Sequence, residues 1–447
     1  MWTRIQVFFR EHFTTFRAII LGFVLLIAAG AILLCLPFAA ADGQAVSFVD
    51  ALFTSTSASC VTGLVLFETG VKWSLFGKIV ILVLIQIGGL GVVTAVVAAQ
   101  VLRGKRIGIV SRLTMQDAVS APQTGGIIRF MLFFLSVTLL IEGIGALLLS
   151  FVFMREFGFL KGAGYAVFHS VSAFCNAGFD ILGTSESFAS LAAYRSSILV
   201  NLVIILLIVI GGLGFTTWRD LLDCHFHLKK LRLQSKIILS MTVILITLPF
   251  LFFYFFEFAE AQGSERVLAA LFQAVTPRTA GFSTVDYGKM SEPSLLLSIV
   301  LMMTGGAPGS TAGGFKVTTL AVIILSARAV TKKNTDAVCF RRRLDEETIH
   351  RAAALVTVYV LLLLAGTLIL SISEQLPVLA CMFECASALG TVGLTTGITP
   401  GLHTLGKLLL CVFMFFGRAG GLTISYAIVI GHNRTPRRYP PEKVTVG

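Results

Sequence analysis

Charged residues are scarce in this sequence, and that scarcity excludes a water-soluble fold. Only 13% of the 447 residues are charged, whereas 56% are hydrophobic and the mean hydropathy is +0.90. A soluble domain could not hide so much apolar surface from water. The eight cysteines also lack the paired spacing of a zinc or redox site, so we expect most of them to pack as small apolar residues. The composition therefore predicts an integral membrane protein.

The sequence also lacks the residue constellations of an enzyme. It contains no convergent nucleophile, base and orienting group, and no cluster of metal ligands. A glycine-rich run precedes Lys316, but the Gly-Lys-Ser/Thr ending of a phosphate-binding loop is absent. We therefore expect transport rather than catalysis, and no tightly bound cofactor.

Apolar runs long enough to cross a bilayer occur along the whole chain, since a spanning helix needs about 20 mostly apolar residues. The candidates fall into four pairs: 17–40 and 74–101, 129–153 and 196–217, 236–256 and 294–304 joined to 315–330, and 352–372 and 405–430. Between the members of each pair lies a shorter piece rich in Ser, Thr and Ala, near 47–60, 164–175, 266–277 and 377–389. Pieces of that length are typical of re-entrant segments. The pattern predicts an all-α protein with eight spans, and the first run lacks the cleavage site of a signal peptide.

Each re-entrant piece ends in a turn with one glycine followed by a bulky apolar residue. The four turns are Cys60-Val61-Thr62-Gly63-Leu64, Cys175-Asn176-Ala177-Gly178-Phe179, Arg278-Thr279-Ala280-Gly281-Phe282 and Gly390-Thr391-Val392-Gly393-Leu394. Counting back from the glycines aligns Phe53, Phe168, Leu271 and Phe383, and then Ser57, Ser172, Val275 and Ser387. Regular spacing along the chain indicates four copies of one unit. A single turn fits a packing kink between helices, but four copies favour a pore.

The predicted geometry of these turns suits a cation. A short helix that enters from outside and stops at mid-membrane leaves its last carbonyl groups unpaired, and the negative end of its dipole points into the bilayer. Carbonyl groups of the following turn can replace the hydration shell of an ion, and glycine permits the backbone conformations that this requires. We therefore expect the four turns to line an ion path.

Basic residues orient the chain in the membrane. Most of the 35 Lys and Arg residues fall in 1–16, 102–128, 218–235, 331–351 and 431–447. Because Lys and Arg are retained on the cytoplasmic side, both termini are predicted to be cytoplasmic and the glycine turns to face outward. This distribution explains the net charge of +12 without a nucleic-acid partner. Acids near the turns either concentrate cations or solvate the outer loops; they are Asp50, Glu68, Asp180, Glu186, Asp286 and Glu292.

Glycine pairs recur in the second span of each unit. They are Gly88-Gly89, Gly211-Gly212, Gly305-Gly306 and Gly420-Gly421. The first two fit close helix packing through small residues. The third begins a polar, helix-breaking stretch, 304–314, in the middle of a span, which predicts a flexible plug beneath the turns. Its defining residues are Gly305, Gly306, Pro308, Gly309, Ser310, Thr311, Gly313 and Gly314.

Together the turns resemble the filter segments of the Trk/Ktr/HKT superfamily of potassium transporters, and the resemblance covers nearly the whole chain. Thr391-Val392-Gly393-Leu394 is similar to a simplified potassium-channel filter. The resemblance implies four span, pore-helix and span repeats around one central pore with pseudo-fourfold symmetry. It also implies that backbone carbonyls of the filter bind K+. The filter residues would be Val61, Thr62, Gly63, Asn176, Ala177, Gly178, Thr279, Ala280, Gly281, Thr391, Val392 and Gly393.

The resemblance also assigns the gate. Related transporters carry a glycine-rich intramembrane loop at the place of 304–314, and Arg418 would lie on the pore wall beneath the filter, near Lys316 at the end of the loop. An intramembrane charge is costly and usually faces a cavity. Arg418 would raise the barrier for a cation and hold the loop through hydrogen bonds to its carbonyl groups. A structural ion pair with Glu142, deep in another span, is the alternative.

The short segment before the first span favours the Ktr type of this superfamily. That type implies a homodimer, sodium-dependent potassium uptake, and a cytosolic ring of nucleotide-binding regulatory subunits through which any nucleotide would act. Because the filter is less regular than that of a tetrameric channel, we expect looser selectivity over sodium. The charged linker from Arg328 to Arg351 either transmits movement to the gate loop or anchors the chain beside anionic lipid.

The expected organisation is four repeats in the cell membrane, at 17–101, 129–217, 236–330 and 352–430. An alternating-access cation symporter with broken helices is the competing function. Such carriers normally show two inverted halves, whereas four copies in parallel orientation favour a central pore.

Overall fold

The computed structural model of the chain describes residues 15–95, 126–183, 190–334 and 336–420. Most of the predicted segments 1–16 and 102–128, all of 431–447, and the residues Glu186 and Gly421 lie outside this part. The described residues are mainly helical. The helices are α1 (Thr15–Leu34), α2 (Phe48–Ser59), α3 (Thr69–Lys72), α4 (Leu75–Leu90), α5 (Ile127–Phe157), α6 (Phe159–Phe174), α7 (Ile198–Gly212), α8 (Phe215–Asp223), α9 (Leu233–Phe252), α10 (Gly263–Val275), α11 (Glu292–Met303), α12 (Val317–Thr331), α13 (Glu346–Glu374), α14 (Val378–Gly390) and α15 (Thr404–Ala419).

Short 3-10 helices, a π-helical turn and a hairpin complete the described fold; the 3-10 helices are Pro37–Ala39, Ala192–Tyr194, Leu228–Lys230, Tyr287–Lys289 and Thr399–Gly401. A π-helical turn, Phe253–Glu257, continues α9. An antiparallel hairpin of β1 (Val338–Cys339) and β2 (Arg342–Arg343) lies between α12 and α13. Hydroxyl caps begin two of the helices: Ser47 Oγ accepts a hydrogen bond from Asp50 N at 3.2 Å, and Ser74 Oγ accepts one from Gly77 N at 3.3 Å.

Among the described residues, four helical segments are long and apolar enough to cross a membrane: Arg17–Leu34, Ile127–Phe157, Leu233–Glu257 and Glu346–Glu374. The bent pair Ile198–Gly212 and Phe215–Asp223 is a fifth candidate when its two helices are taken together. The most apolar windows of the four long segments have mean hydropathy between 2.3 and 2.6, yet only 28% of those residues are buried. Leu139, Val243 and Leu361 project outward from them and are each at least 60% exposed. Such an apolar exterior requires lipid, because water would not tolerate it. The chain is therefore a multi-pass membrane protein.

Glycine interrupts the helices of the predicted second spans in three units. Gly91 (φ 86) and Gly420 (φ 85) follow the ends of α4 and α15, Gly214 (φ 82) lies between α7 and α8, and side chains disfavour such a positive φ. α7 and α8 form a pair bent by 90°. In the third unit the helix is interrupted between Met303 and Val317, at the place of the predicted stretch 304–314. The predicted spans 74–101, 196–217 and 405–430 are therefore not single continuous helices; residues 96–101 and 421–430 lie outside the described part.

The four short helices α2, α6, α10 and α14, which lead into the glycine turns, alternate with the second helices. α4 packs on α6, α7 on α10, α11 on α14, and α15 on α2. Lys407 of α15 and Asp50 of α2 form an ion pair, with 2.7 Å between Nζ and Oδ1. The last unit of the chain therefore closes against the first.

Candidate functional site

The four glycine turns lie side by side in cyclic order. The closest approaches pair Gly63 with Ala177, Gly178 with Ala280, Gly281 with Val392, and Gly393 with Thr62. A Cβ atom on Gly178, for example, would lie only 2.7 Å from the Ala280 carbonyl oxygen. Each glycine thus lets the next turn approach where any side chain would collide. The four turns form a closed ring in the order first, second, third, fourth, first.

Each turn repeats one unusual backbone conformation. The turn glycines have positive φ angles of 92°, 67°, 79° and 93°. Two residues earlier, Val61, Asn176, Thr279 and Thr391 also have positive φ, at 57°, 59°, 70° and 50°. Positive φ is rare for non-glycine residues, and for β-branched side chains most of all. Such strain persists only where the surrounding structure maintains it, and it clusters at functional sites.

Hydroxyl groups of the short helices fix the turns that follow them. Ser57 Oγ accepts a hydrogen bond from Gly63 N at 3.0 Å, and Ser387 Oγ accepts one from Gly393 N at the same distance. Ser172 Oγ instead donates to the carbonyl oxygen of the residue after the second glycine, at 2.8 Å. The serine alignment read from the sequence therefore corresponds to a physical anchor in three turns.

In the third turn this anchor is displaced by one residue. Thr276 Oγ1 donates to the Phe282 carbonyl, which is the contact that Ser172 makes in the second turn. Thr276, rather than Val275, is the equivalent residue, and Phe272 takes the place expected for Leu271. The alignment by counting is wrong here because the segment between anchor and glycine is one residue shorter in the third unit.

Two polar side chains distinguish the second and third turns. In the amide orientation that satisfies both its oxygen and its nitrogen, Asn176 donates to the carbonyl oxygens of Ala173 at 3.0 Å and Ile208 at 3.3 Å, so this side chain is bound to α6 and α7. Arg278 is buried at the end of α10, where its guanidinium donates to Thr242 Oγ1 at 3.4 Å. The carbonyl end of a helix stabilises a positive charge. No feature of the sequence predicted that this arginine is buried.

A cavity of ≈ 630 Å³ opens on the ring, and all four turn glycines line it. Glu68, Asp180 and Asp286 line the same cavity, together with Lys289. Three carboxylates against one ammonium group make the cavity net negative at neutral pH. A concave surface of that charge concentrates cations in front of the ring.

The predicted gate loop, residues 304–314, packs directly against the second and fourth units. Thr311 Oγ1 donates to the Phe174 carbonyl oxygen, at the end of α6, at 3.0 Å. Gly313 approaches Thr391 so closely that a Cβ atom would collide with the threonine side chain. The loop therefore touches the ring of turns at two of its four sides.

The loop also binds the break between α7 and α8. Ala307 N donates to Gly212 O at 2.9 Å, and Phe215 N donates to Gly309 O at 2.9 Å. These backbone groups are available because the helix is interrupted at Gly214. The pair Gly211-Gly212 at the end of α7, which we expected only to aid helix packing, thus provides a binding surface for the loop.

Arg418 joins three parts of the molecule. Its guanidinium donates to the Thr311 carbonyl of the loop, and to the carbonyls of Gly88 and Gly89 at the end of α4, the last at 2.9 Å. Lys316 Nζ donates to two loop carbonyls at 2.7 and 3.4 Å. Hydrogen bonds from charged donors are among the stronger ones. Both predicted basic residues therefore secure the loop.

Glu142 is not the ion-pair partner of Arg418 among the described residues. Its carboxylate accepts a hydrogen bond from Gln86 Nε2 at 3.1 Å and lies 3.8 Å from Cys175 Sγ. The guanidinium is bound to backbone carbonyls instead, so the structural pair considered as an alternative does not form.

Arg418 occupies a position that is glycine in the first two units. In three units, a glycine of the second helix faces the carbonyl oxygen of the residue four positions before the turn glycine, and an added Cβ atom would collide with that oxygen. The pairs are Gly88 and Ser59, Gly211 and Phe174, and Gly417 and Leu389. Gly417-Arg418 is therefore equivalent to Gly88-Gly89. The expected equivalence of Gly420-Gly421 is wrong, because helix contacts, not the glycine count, fix the register.

The helical membrane fold and the ring of turns define a transport protein, and the comparisons with known proteins agree. The model of the TrkH family, described as cation transport proteins, matches residues 8–435. The chain therefore belongs to the TrkH family.

Relatives and a solved structure cover almost the whole chain. Potassium/sodium uptake protein NtpJ of Enterococcus hirae is 38% identical over 449 residues, covering 98% of both chains. Ktr system potassium uptake protein B of Bacillus subtilis is 37% identical over 442 residues, covering 98% of this chain and 97% of that protein. The crystal structure of the potassium transporter TrkH from Vibrio parahaemolyticus is similar with a TM-score of 0.75, over 94% of this chain and 85% of that one. At 21% identity, that likeness concerns the fold alone.

Proposed function

We propose that this protein takes up potassium across the cell membrane through a selective, gated pore that its four units surround with pseudo-fourfold symmetry. The observation that carries the proposal is the closed ring of glycine turns, which opens on an acid-lined cavity. Relatives at 37–38% identity named for potassium or potassium/sodium uptake support potassium as the cargo. Backbone carbonyls of the turns would replace the hydration shell of the ion.

The gate of this pore is the loop 304–314, in a closed position. Its contacts with Phe174 and Thr391 bring it against the ring, and Arg418 secures it from α15. Two of the Arg418 hydrogen bonds anchor the guanidinium to α4, so of these three only the bond to Thr311 must break for the loop to leave. Opening also breaks the hydrogen bonds that join the loop to Phe174, Gly212 and Phe215 of the second unit.

Regulation and assembly follow the Ktr pattern in this proposal. Three relatives belong by name to Ktr systems, which supports a second, regulatory component. The proposal places a cytosolic nucleotide-binding ring on the cytoplasmic linkers, pairs two copies of this chain in the membrane, and makes uptake dependent on sodium. Both chain termini face the cytoplasm.

An alternating-access symporter remains the second candidate, because the helices of the second and third units are interrupted as in broken-helix carriers. The closed ring of four similar turns favours the pore. Single-turnover flux separates the two: a pore passes many ions for each opening, whereas a carrier moves a fixed number for each cycle.

The test is potassium-dependent growth and Rb+ uptake in cells that lack their own uptake systems, with and without sodium. Each of Gly63, Gly178, Gly281 and Gly393 is changed to Ser, and Gly143→Ser is the matched control, because a Cβ atom there meets nothing within 4 Å. The ring variants are expected to lose uptake or selectivity, and the control to keep both. Unchanged uptake by all four ring variants, present in the membrane at normal levels, would refute the pore.

A further inference from the structure

One register position in the short helices differs in chemistry from unit to unit. It is the residue that follows the buried phenylalanine of each helix: Thr54 in α2, His169 in α6, Gln273 in α10 and Glu384 in α14. All four are buried, with exposed fractions of 3% or less. The correction of the third alignment to Phe272 is what identifies Gln273 as the equivalent residue. A buried polar side chain needs partners, and the partners differ among the units.

In the fourth unit, Glu384 binds the segment that leaves the turn toward the cavity. Its Oε1 accepts hydrogen bonds from Thr395 Oγ1 at 2.6 Å, Thr396 N at 2.9 Å and Thr396 Oγ1 at 3.2 Å. Its Oε2 accepts one from Thr399 Oγ1 at 2.6 Å. Thr395 Oγ1 in turn accepts one from Gly397 N at 2.9 Å. One buried carboxylate therefore fixes the backbone just beyond Gly393.

In the third unit, Gln273 makes the same connection with fewer bonds. Its Nε2 donates to Thr284 Oγ1 at 3.4 Å, and its Oε1 accepts from the Tyr287 hydroxyl. Thr284 and Thr396 both lie three residues after their turn glycine, and Tyr287 and Thr399 both lie six residues after it. The two units thus place hydroxyl groups at the same positions, facing the same position of the short helix.

The first and second units lack this connection among the described residues. Thr54 Oγ1 donates within its own helix, to Asp50 O at 3.0 Å. His169 Nδ1 contacts Tyr165 O at 2.7 Å within its helix, and its Nε2 has no hydrogen-bond partner in the part of the chain that the structure describes. The residue three positions after the turn glycine is apolar in both units. Thr69 lies six residues after Gly63, but Thr54 bonds within its own helix instead. Among the described residues, the connection is therefore present in two units and missing in two.

We propose that Glu384 and, more weakly, Gln273 are positioning residues that hold the fourth and third turns at a fixed radius, and that this brace sets the discrimination between K+ and Na+. The inference rests on the proposed pore function. Na+ is smaller than K+, so the carbonyls must move inward to replace its hydration shell. All four turns share a hydroxyl anchor, but the fourth and third turns have this second connection to their helices and so resist the movement more strongly. Half of the ring is therefore more rigid than the other half, and Glu384 supplies most of the difference.

The test compares K+ and Na+ permeation through the purified protein in liposomes for Glu384→Gln, Gln273→Leu and the control Thr54→Val. Glu384→Gln keeps the size of the side chain but removes the charge and one acceptor oxygen. We expect its K+/Na+ ratio to fall about tenfold, which corresponds to about 1.4 kcal/mol. Gln273→Leu should lower the ratio less, and Thr54→Val should leave it unchanged, since Thr54 bonds only within its helix.

A second variant keeps the test informative if Glu384→Gln does not fold. Thr399→Val removes the donor to Glu384 Oε2 and leaves the carboxylate in place, and it should shift the ratio in the same direction. A ratio within twofold of the unmodified protein in both variants would overturn the brace while leaving potassium transport intact. Failure of the proposed function has a different signature, because the unmodified protein would then show no K+-selective flux.

Discussion

Replacement of Arg418 by Ala should open the pathway. Of the three carbonyls that the guanidinium binds, only that of Thr311 belongs to the loop; those of Gly88 and Gly89 belong to α4. The substitution therefore removes one charge-assisted hydrogen bond between loop and scaffold, with a net worth of about 1.5–3 kcal/mol. At about 1.4 kcal/mol for each tenfold change, the ratio of open to closed loops should rise roughly 10- to 100-fold.

The assay is Rb+ flux into liposomes that contain equal amounts of folded protein. Arg418→Ala should raise the flux at least several-fold. Arg418→Lys separates the two proposed roles of the arginine, which are to oppose cations by its charge and to hold the loop by hydrogen bonds. Lysine keeps the positive charge but lacks the planar guanidinium that binds the loop and α4 at once. We expect an intermediate flux for Lys.

Arg219→Ala is the matched control, because Arg219 is half-exposed and pairs with Asp223 in the same helix. It should leave the flux unchanged. Suppose that Arg418→Ala shows unchanged or lower flux, with a normal melting temperature and normal incorporation into liposomes. That result would refute both proposed roles of Arg418, as the residue that holds the loop and as a barrier to cations.

Three further predictions concern other contacts. Gly313→Ala places a Cβ atom against the Thr391 side chain, so it should lower Rb+ uptake by distorting the fourth turn, whereas Gly143→Ala should not; equal uptake by both would contradict the contact between loop and turn. Asp286→Asn removes a charge from the cavity in front of the ring, so the K+ concentration for half-maximal uptake should rise about twofold at low ionic strength and little at high ionic strength. The control is Asp42→Asn, because Asp42 pairs with Lys72 outside that cavity. An effect of Asp286→Asn that does not depend on salt would disprove the electrostatic explanation. Lys407→Met breaks the ion pair between α15 and α2, in which both side chains are 18% exposed, and it should lower the free energy of unfolding by about 1–3 kcal/mol; an unchanged thermal unfolding temperature would show that this pair does not close the fold.

The sequence predicted the four glycine turns and the loop 304–314 because each depends on local chemistry. Glycine, proline and polar residues are conspicuous in an apolar chain, and their interruption of a span is visible without any long-range contact. Arg418 and Lys316 stood out for the same reason, since a charge in an apolar helix is costly.

Register was harder to predict than the motifs themselves. The third turn is one residue shorter than the others, so Thr276 takes the anchoring position that counting assigned to Val275. Gly417, not Gly420, is equivalent to Gly88 and Gly211, because each of those three faces a short-helix carbonyl. Spacing along the chain cannot reveal which glycine meets a neighbouring backbone.

The sequence by itself determined that this protein lies in a membrane, that its segments form four similar units, and which residues form the turns. These are properties of short segments, because they depend on hydropathy and backbone freedom. Only the tertiary structure decided that the turns close a ring, that Arg418 binds carbonyls rather than Glu142, and that Glu384 and Gln273 bind the segments that follow the fourth and third turns. Those outcomes depend on groups that lie far apart in the chain, whose hydrogen bonds exist only after the helices have packed.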